Sequence, residues 1–182
     1  LVQWFQKGQV SDKFKLDLDR SWKIVWALSS LGDHRAGPML AEMSARDPSD
    51  QGRKNVLGVQ AAQPGFANKQ KMLNEYFHSS GQRSFQEVVE VAESLFPSLQ
   101  MEERLRFKSD FWTYLERNKK SDQRDLVSIW SRALLPLNCQ SKNADQLLSF
   151  VGGFDGYDPG LKKLIMGALE EDRRCQRIRG MN

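Results

Sequence analysis

Leu18-Asp19-Arg20-Ser21-Trp22-Lys23-Ile24-Val25-Trp26-Ala27-Leu28-Ser29-Ser30-Leu31-Gly32 decides the fold. Trp22, Val25 and Trp26 fall on one helical stripe, and Ile24, Leu28 and Leu31 on an adjoining one. An apolar face that wide must be covered on more than one side, so this helix needs neighbours. Asp17 or Asp19 is placed to cap its start, and Gly32 to end it. The fold predicted from this run is all-α and built of packed helices.

Working forward, the same grammar repeats. Pro38 suits the first turn of a second helix running through Met39, Leu40 and Met43 to Arg46. Asp47-Pro48-Ser49-Asp50 reads as a turn and cap for a third, over Val56, Leu57 and Val59 to Ala62, broken by Gln63-Pro64-Gly65. A fourth carries Phe66, Met72, Leu73, Tyr76 and Phe77 and stops at Ser79-Ser80-Gly81. Ser84 with Glu87 has the form of a capping box, opening a fifth helix with Val88, Val91, Ala92 and Leu95 up to Pro97. A long sixth helix is expected over Met101, Leu105, Phe111, Trp112 and Leu115. Ser121-Asp122 would cap a seventh with Leu126, Ile129, Trp130, Ala133 and Leu134, stopped near Pro136. Leu147, Leu148 and Val151 mark an eighth ended by Gly152-Gly153, and Asp158-Pro159 opens a ninth with Leu161, Leu164, Ile165, Ala168 and Leu169.

Pairs open near Leu18, Asp50, Ser84, Asp122 and Asp158, a step of about 32 to 38 residues, in the range of helix-hairpin solenoids. No residue-level repeat accompanies the step, so an irregular HEAT- or armadillo-like stack of about nine helices is the expected architecture. Working backward, residues 1–17 read as a short apolar lead-in segment with Trp4, Phe5 and Val10, and strand signals are poor throughout. The 182 residues are expected to form one helical-repeat domain. The start, Leu1-Val2-Gln3-Trp4-Phe5, reads as mid-chain sequence and predicts a fragment of a larger protein.

Composition narrows the function classes. Hydrophobic residues are 40% and aromatics 10%, the profile of a folded chain, and no apolar run approaches the roughly 18 residues of a membrane span. The net charge of +4 is mild. Acids and bases interleave, which suits solvated helix faces better than a nucleic-acid surface. The densest bases, Arg173, Arg174, Arg177 and Arg179, follow Glu170, Glu171 and Asp172, the order a helix macrodipole favours. Cys139 and Cys175 read as two free thiols of a reducing compartment, with a single disulfide as the alternative. The expected location is the cytoplasm, with the periplasm or secretion left open.

Catalytic signatures are missing. There is no H-E-x-x-H. The two histidines, His34 and His78, have no second ligand at i+3 or i+4, so no zinc site is expected from this chain. Gly152-Gly153 lacks the Lys-Ser/Thr of a phosphate loop, and Asp155-Gly156-Tyr157-Asp158 is too short for a calcium loop. Neither cysteine has a nearby histidine to activate it. Trp22, Trp26, Trp112 and Trp130 sit on apolar stripes and are expected in the core. One polar stripe stands out: Arg106, Asp110, Thr113 and Arg117 fall at i, i+4, i+7 and i+11 of the sixth helix, opposite its apolar residues. Its plain reading is a solvated face. Its functional reading is a substrate-binding pair, Arg106 and Arg117, since a guanidinium matches a carboxylate with two parallel hydrogen bonds.

A family resemblance then enters. Leu18-Asp19-Arg20-Ser21-Trp22, Leu28-Ser29-Ser30-Leu31-Gly32, Arg46-Asp47-Pro48-Ser49-Asp50-Gln51-Gly52-Arg53 and Ala61-Ala62-Gln63-Pro64 resemble, in order and spacing, the C-terminal helical domain of aminopeptidase N-type zinc metallopeptidases. Leu95-Phe96-Pro97, Trp130-Ser131-Arg132 and Asp172-Arg173-Arg174 are compatible with it. The resemblance implies a HEAT- or armadillo-like superhelix that follows a catalytic domain and covers its active-site cleft. It implies peptide substrates, and zinc held by the catalytic part of the parent. The family's zinc ligands, catalytic Glu and substrate-anchoring motif map onto no residue here. The chain departs from typical bacterial members after Gly81. The competing expectation is a free-standing HEAT-like adaptor that binds protein or nucleic acid.

Overall fold

A computed structural model describes residues 1–78, 82–118, 121, 123–139, 141–153 and 158–180. Apart from one short hairpin its regular structure is helical, so the fold is all-α. The chain divides into two compact units, Leu1–Leu99 and Gln100–Asn182.

In the first unit α1 (Val2–Lys7) ends at Gly8. The chain then folds back on itself as β1 (Gln9–Ser11) and β2 (Phe14–Lys15), paired antiparallel. The sequence marks this stretch only as an apolar lead-in with poor strand signals. Strands of three and two residues are too short to display the alternation by which a strand is read. Phe5 is buried and joins the core, and the Arg20 guanidinium lies 4.7 Å from the centre of the Phe14 ring.

The next helices start where their caps predict. Asp17, not Asp19, caps α2 (Leu18–Ser30) by accepting from the Arg20 N–H at 2.8 Å. Following α3 (Ala36–Arg46), Ser49 caps α4 (Asp50–Ala62) through the Gly52 N–H. After α5 (Phe66–Met72) the chain widens into a π-turn over Leu73–Phe77, closed by the His78 N–H on the Leu73 carbonyl at 3.0 Å. The expected stop at Ser79-Ser80-Gly81 lies outside the described residues. The Ser84–Glu87 capping box opens α6 (Phe85–Ser94). Trp22, Val25 and Leu28 meet Met39, Met43 and Val59 in the core, while α6 turns Val88, Val91 and Ala92 inward and packs on α4 and the π-turn.

The second unit departs further from expectation. The long sixth helix is two: α7 (Met101–Leu105) and α8 (Lys108–Asn118). Phe107 explains the break. It is buried, yet on a continuous helix it would point away from Leu105. Tight bonds from the Arg106 N–H to the Glu103 carbonyl and from the Phe107 N–H to the Arg104 carbonyl end α7 instead. Phe107, Phe111 and Leu115 then form the buried stripe of α8. The seventh helix, α9 (Arg124–Leu134), starts beyond its expected cap. Ser121 Oγ accepts from the Gln123 N–H, Gln123 at the N-cap supplies no side-chain bond, and Asp122 lies outside the described residues. Helix α10 (Ser141–Gly152) and α11 (Pro159–Ile178) complete the unit, with Asp158 capping α11 as expected. The rest of the acidic run, Asp155-Gly156-Tyr157, lies outside the described residues. The described residues thus form eleven α-helices; α1 and the split sixth helix account for the two beyond nine.

Candidate functional site

The sequence-nominated residues come first. Arg106 ends α7 and Arg117 lies in the last turn of α8, so the pair belongs to two helices and not to one stripe. Both are exposed, as is Thr113, and Asp110 is half-buried. Of the four tryptophans, Trp22 and Trp130 are buried; Trp26 and Trp112 are only partly so, and Trp112 packs edge-on against Phe111 and Phe150.

A groove of about 750 Å³ lies in the second unit between α7, α9, α11 and the segment that links α9 to α10. Its shape depends on that segment, which runs buried through Leu135, Leu137, Asn138 and Cys139 without being helical. Buried backbone outside a helix must find partners elsewhere. The Arg104 guanidinium donates to the Leu137 carbonyl. Asn138 Nδ2 donates to Glu102 Oε1 at 3.0 Å and its Oδ1 accepts from Asn143. The Cys139 N–H donates to Asp172 Oδ1 at 2.6 Å. Cys139 adopts a left-handed φ of 63°, unusual for a residue with a side chain, and a disulfide to Cys175 of α11 ties it there. The expectation of two free thiols is thereby corrected: 36 residues apart in sequence, the two are neighbours once α11 packs on this segment.

Three cations line the groove: Arg104 from α7, Arg132 from α9 and Lys163 from α11. Burial draws the Arg104 guanidinium below its usual range, and the Asp172 carboxylate opposes that shift. Two carboxylates, Glu171 and Asp172, line it as well; the remaining walls are mostly apolar, with Leu135, Leu164 and Ala168 among them, and Gly167 leaves α11 open there. Such a surface can accept an apolar side chain and pair with an anion. Both thiols are bridged, and both histidines belong to the other unit. Among the described residues no three His, Cys, Asp or Glu side chains converge as a metal site would require, and no helix is long and apolar enough to cross a membrane. Sequence reading missed the groove because its key residues, Glu102, Arg104, Asn138 and Asp172, carry no periodic signal.

The residues that carry the family resemblance form a network in the first unit. Trp22 Nε1 donates to Asp47 Oδ2 at 2.8 Å, and Ser49 Oγ donates to the other oxygen of that carboxylate at 2.6 Å. Together these hold the Asp47 carboxyl below its usual range. Gly52 lies so close beneath Asp47 that a Cβ there would sit 2.0 Å from the Asp47 carbonyl oxygen. Ser29 Oγ donates to the Val59 carbonyl at 2.8 Å. The buried Lys69 Nζ reaches the Ala61 carbonyl at 2.7 Å, near the negative end of α4. Compared with protein families and with curated proteins, the chain matches none.

Proposed function

We propose that this chain is the non-catalytic C-terminal domain of a zinc-dependent aminopeptidase. In this reading its helix pairs stack as a HEAT- or armadillo-like superhelix over the cleft of the N-terminal catalytic domain, which holds the zinc. There the domain admits peptide substrates and positions their distal parts. One observation supports the reading. Two of the four segments that resemble the family clamp one another, through Trp22, Asp47, Ser49 and Gly52, and the other two meet where a Cβ at Gly32 would lie 3.1 Å from the Pro64 ring. Residues used this way hold helices together, which suits a covering role. The Cys139–Cys175 bridge favours an oxidising compartment, such as the periplasm, over the cytoplasm.

The test is the coding sequence upstream of Leu1. An H-E-x-x-H with a distal Glu is expected there; its absence would leave the free-standing adaptor. In the full enzyme, Arg106→Ala with Arg117→Ala is expected to raise KM for longer peptides, each contact being worth on the order of 1 kcal/mol at a wet surface. Turnover of a single-residue chromogenic substrate should not change. Equal loss on both substrates would mean a docking defect, and no loss on either would return the pair to a solvated face.

A further inference from the structure

The first unit contains a half-buried carboxylate whose charge only the nearby Lys54 partly offsets. Glu90 of α6 is half-buried and makes no hydrogen bond or ion pair among the described residues. The cations near it are already held. Lys23 Nζ is 2.8 Å from Asp19 Oδ2, and Lys54 Nζ is 2.7 Å from Asp50 Oδ2. The indole donors are occupied too, Trp22 Nε1 by Asp47 and Trp26 Nε1 by Ser94 Oγ at 3.2 Å. Burial, followed by the charge of Glu93, pushes the Glu90 carboxyl above its usual range.

Glu90 lines a pocket of about 160 Å³ between α2, α4 and α6, with Trp22, Trp26, Asn55, Ser94 and the Asp19–Lys23 ion pair in its walls. That is smaller than the roughly 300 Å³ at which drug-sized sites begin, so it suits one head group. Gly58 of α4 faces the same carboxylate: a Cβ there would lie 2.3 Å from Glu90 Oε1 and 3.0 Å from Ser94 Oγ.

We propose that this pocket binds one basic side chain of a peptide, its ammonium or guanidinium head paired with Glu90 and flanked by the indoles of Trp22 and Trp26. A half-buried carboxylate without a hydrogen-bond donor is disfavoured, and a cation with N–H groups supplies both the charge and the hydrogen bonds. Aromatic rings attract the same cation through their π-systems. Ser94 Oγ and the Asn55 side chain offer polar atoms around the head. The site is independent of the peptidase reading, since it needs only the first unit's own residues.

The experiment is a titration of the 182-residue chain followed by NMR of its tryptophan indole N–H signals, with N-acetyl-lysinamide and N-acetyl-argininamide as probes. The expected result is millimolar binding that shifts the Trp22 and Trp26 signals and leaves Trp112 and Trp130 in place. N-acetyl-norleucinamide, the neutral counterpart, should bind at least ten-fold more weakly, and so should tetramethylammonium, which has no N–H to donate. Glu90→Gln should weaken lysinamide at least ten-fold with its thermal unfolding intact. In the unsubstituted chain, saturating lysinamide should move the Glu90 carboxyl titration, followed by carbon NMR, to lower pH. Equal binding of the neutral probe, unchanged affinity in Glu90→Gln, an unmoved Glu90 titration or the absence of any indole shift would each overturn the assignment.

Discussion

The two units bury similar apolar helices but hold them by different means. In the first, side chains reach from helix to helix and find partners: Trp22 to Asp47, Trp26 to Ser94, Ser29 to the Val59 carbonyl, Lys69 to the Ala61 carbonyl. In the second, α9 begins without a side-chain cap, and Arg104 Nε and Ser131 Oγ are buried without an acceptor or donor. There a covalent bridge ties the buried segment after α9 to α11, beside the bond from the Cys139 N–H to Asp172. The lesson is physical. An interhelix hydrogen bond adds about 1 kcal/mol and acts locally, whereas a crosslink restricts the unfolded chain over its whole loop.

The sharpest way to break the comparison is to remove the bridge. Cys139→Ser with Cys175→Ser is expected to cost the second unit about 3–4 kcal/mol, from the 36-residue separation it closes. Hydrogen exchange read by mass spectrometry should show protection lost across α9–α11 and kept across α2–α6. Equal loss in both units would mean that the crosslink supports more than its own half.

Next in size is a test of the first unit's clamp. Gly52→Ala pushes a methyl group into the Asp47 carbonyl and is expected to cost about 1–3 kcal/mol of unfolding free energy. The Trp22 indole N–H signal should move with it, because Asp47 is that proton's acceptor. A neutral result would show that the α3–α4 turn yields more easily than its contacts suggest.

Ser84→Ala removes the capping box of α6 and is expected to cost about 1 kcal/mol in denaturant unfolding at neutral pH. The Ser84 backbone and hydroxyl hold the Glu87 carboxyl below its usual range, so its contribution is present above the unfolded pKa and lost as pH falls through the folded one. The gap between parent and variant should therefore narrow in acid without closing, because the bond from the Glu87 N–H to Ser84 Oγ does not titrate.

Smallest, and opposite in sign, is Glu90→Gln. The folded state raises the pKa of this carboxyl, so its ionised form is penalised above the folded pKa and the penalty vanishes below the unfolded one. The variant should melt slightly higher at neutral pH and match the parent in acid. A lower melting temperature at neutral pH would mean that Glu90 has a stabilising role in the free chain.

How much was legible follows the same division. The first unit announces itself: Asp17, Ser49 and Ser84 each stand at the foot of an apolar run, and each caps the helix they predict. Capping is local, decided within three residues, so a sequence displays it. The break at Arg106–Phe107 was not legible, because Met101, Leu105, Phe111 and Leu115 satisfy helical spacing whether or not the chain turns between them. Only the burial of Phe107 decides, and burial belongs to the packed unit. The groove and the Glu90 pocket were invisible for a related reason. Their residues come from elements far apart in the chain and share no period.

By itself, the order of residues determined an all-α chain, the starts of its best-capped helices, and the stripes that carry its core, since propensity, capping and periodicity act over a few residues. The tertiary structure alone decided that Cys139 meets Cys175, that Arg104 turns inward to the Leu137 carbonyl, and that Glu90 is left without a partner. These depend on which helix faces touch, and that is settled by the summed burial of many side chains, which no single stretch of sequence contains.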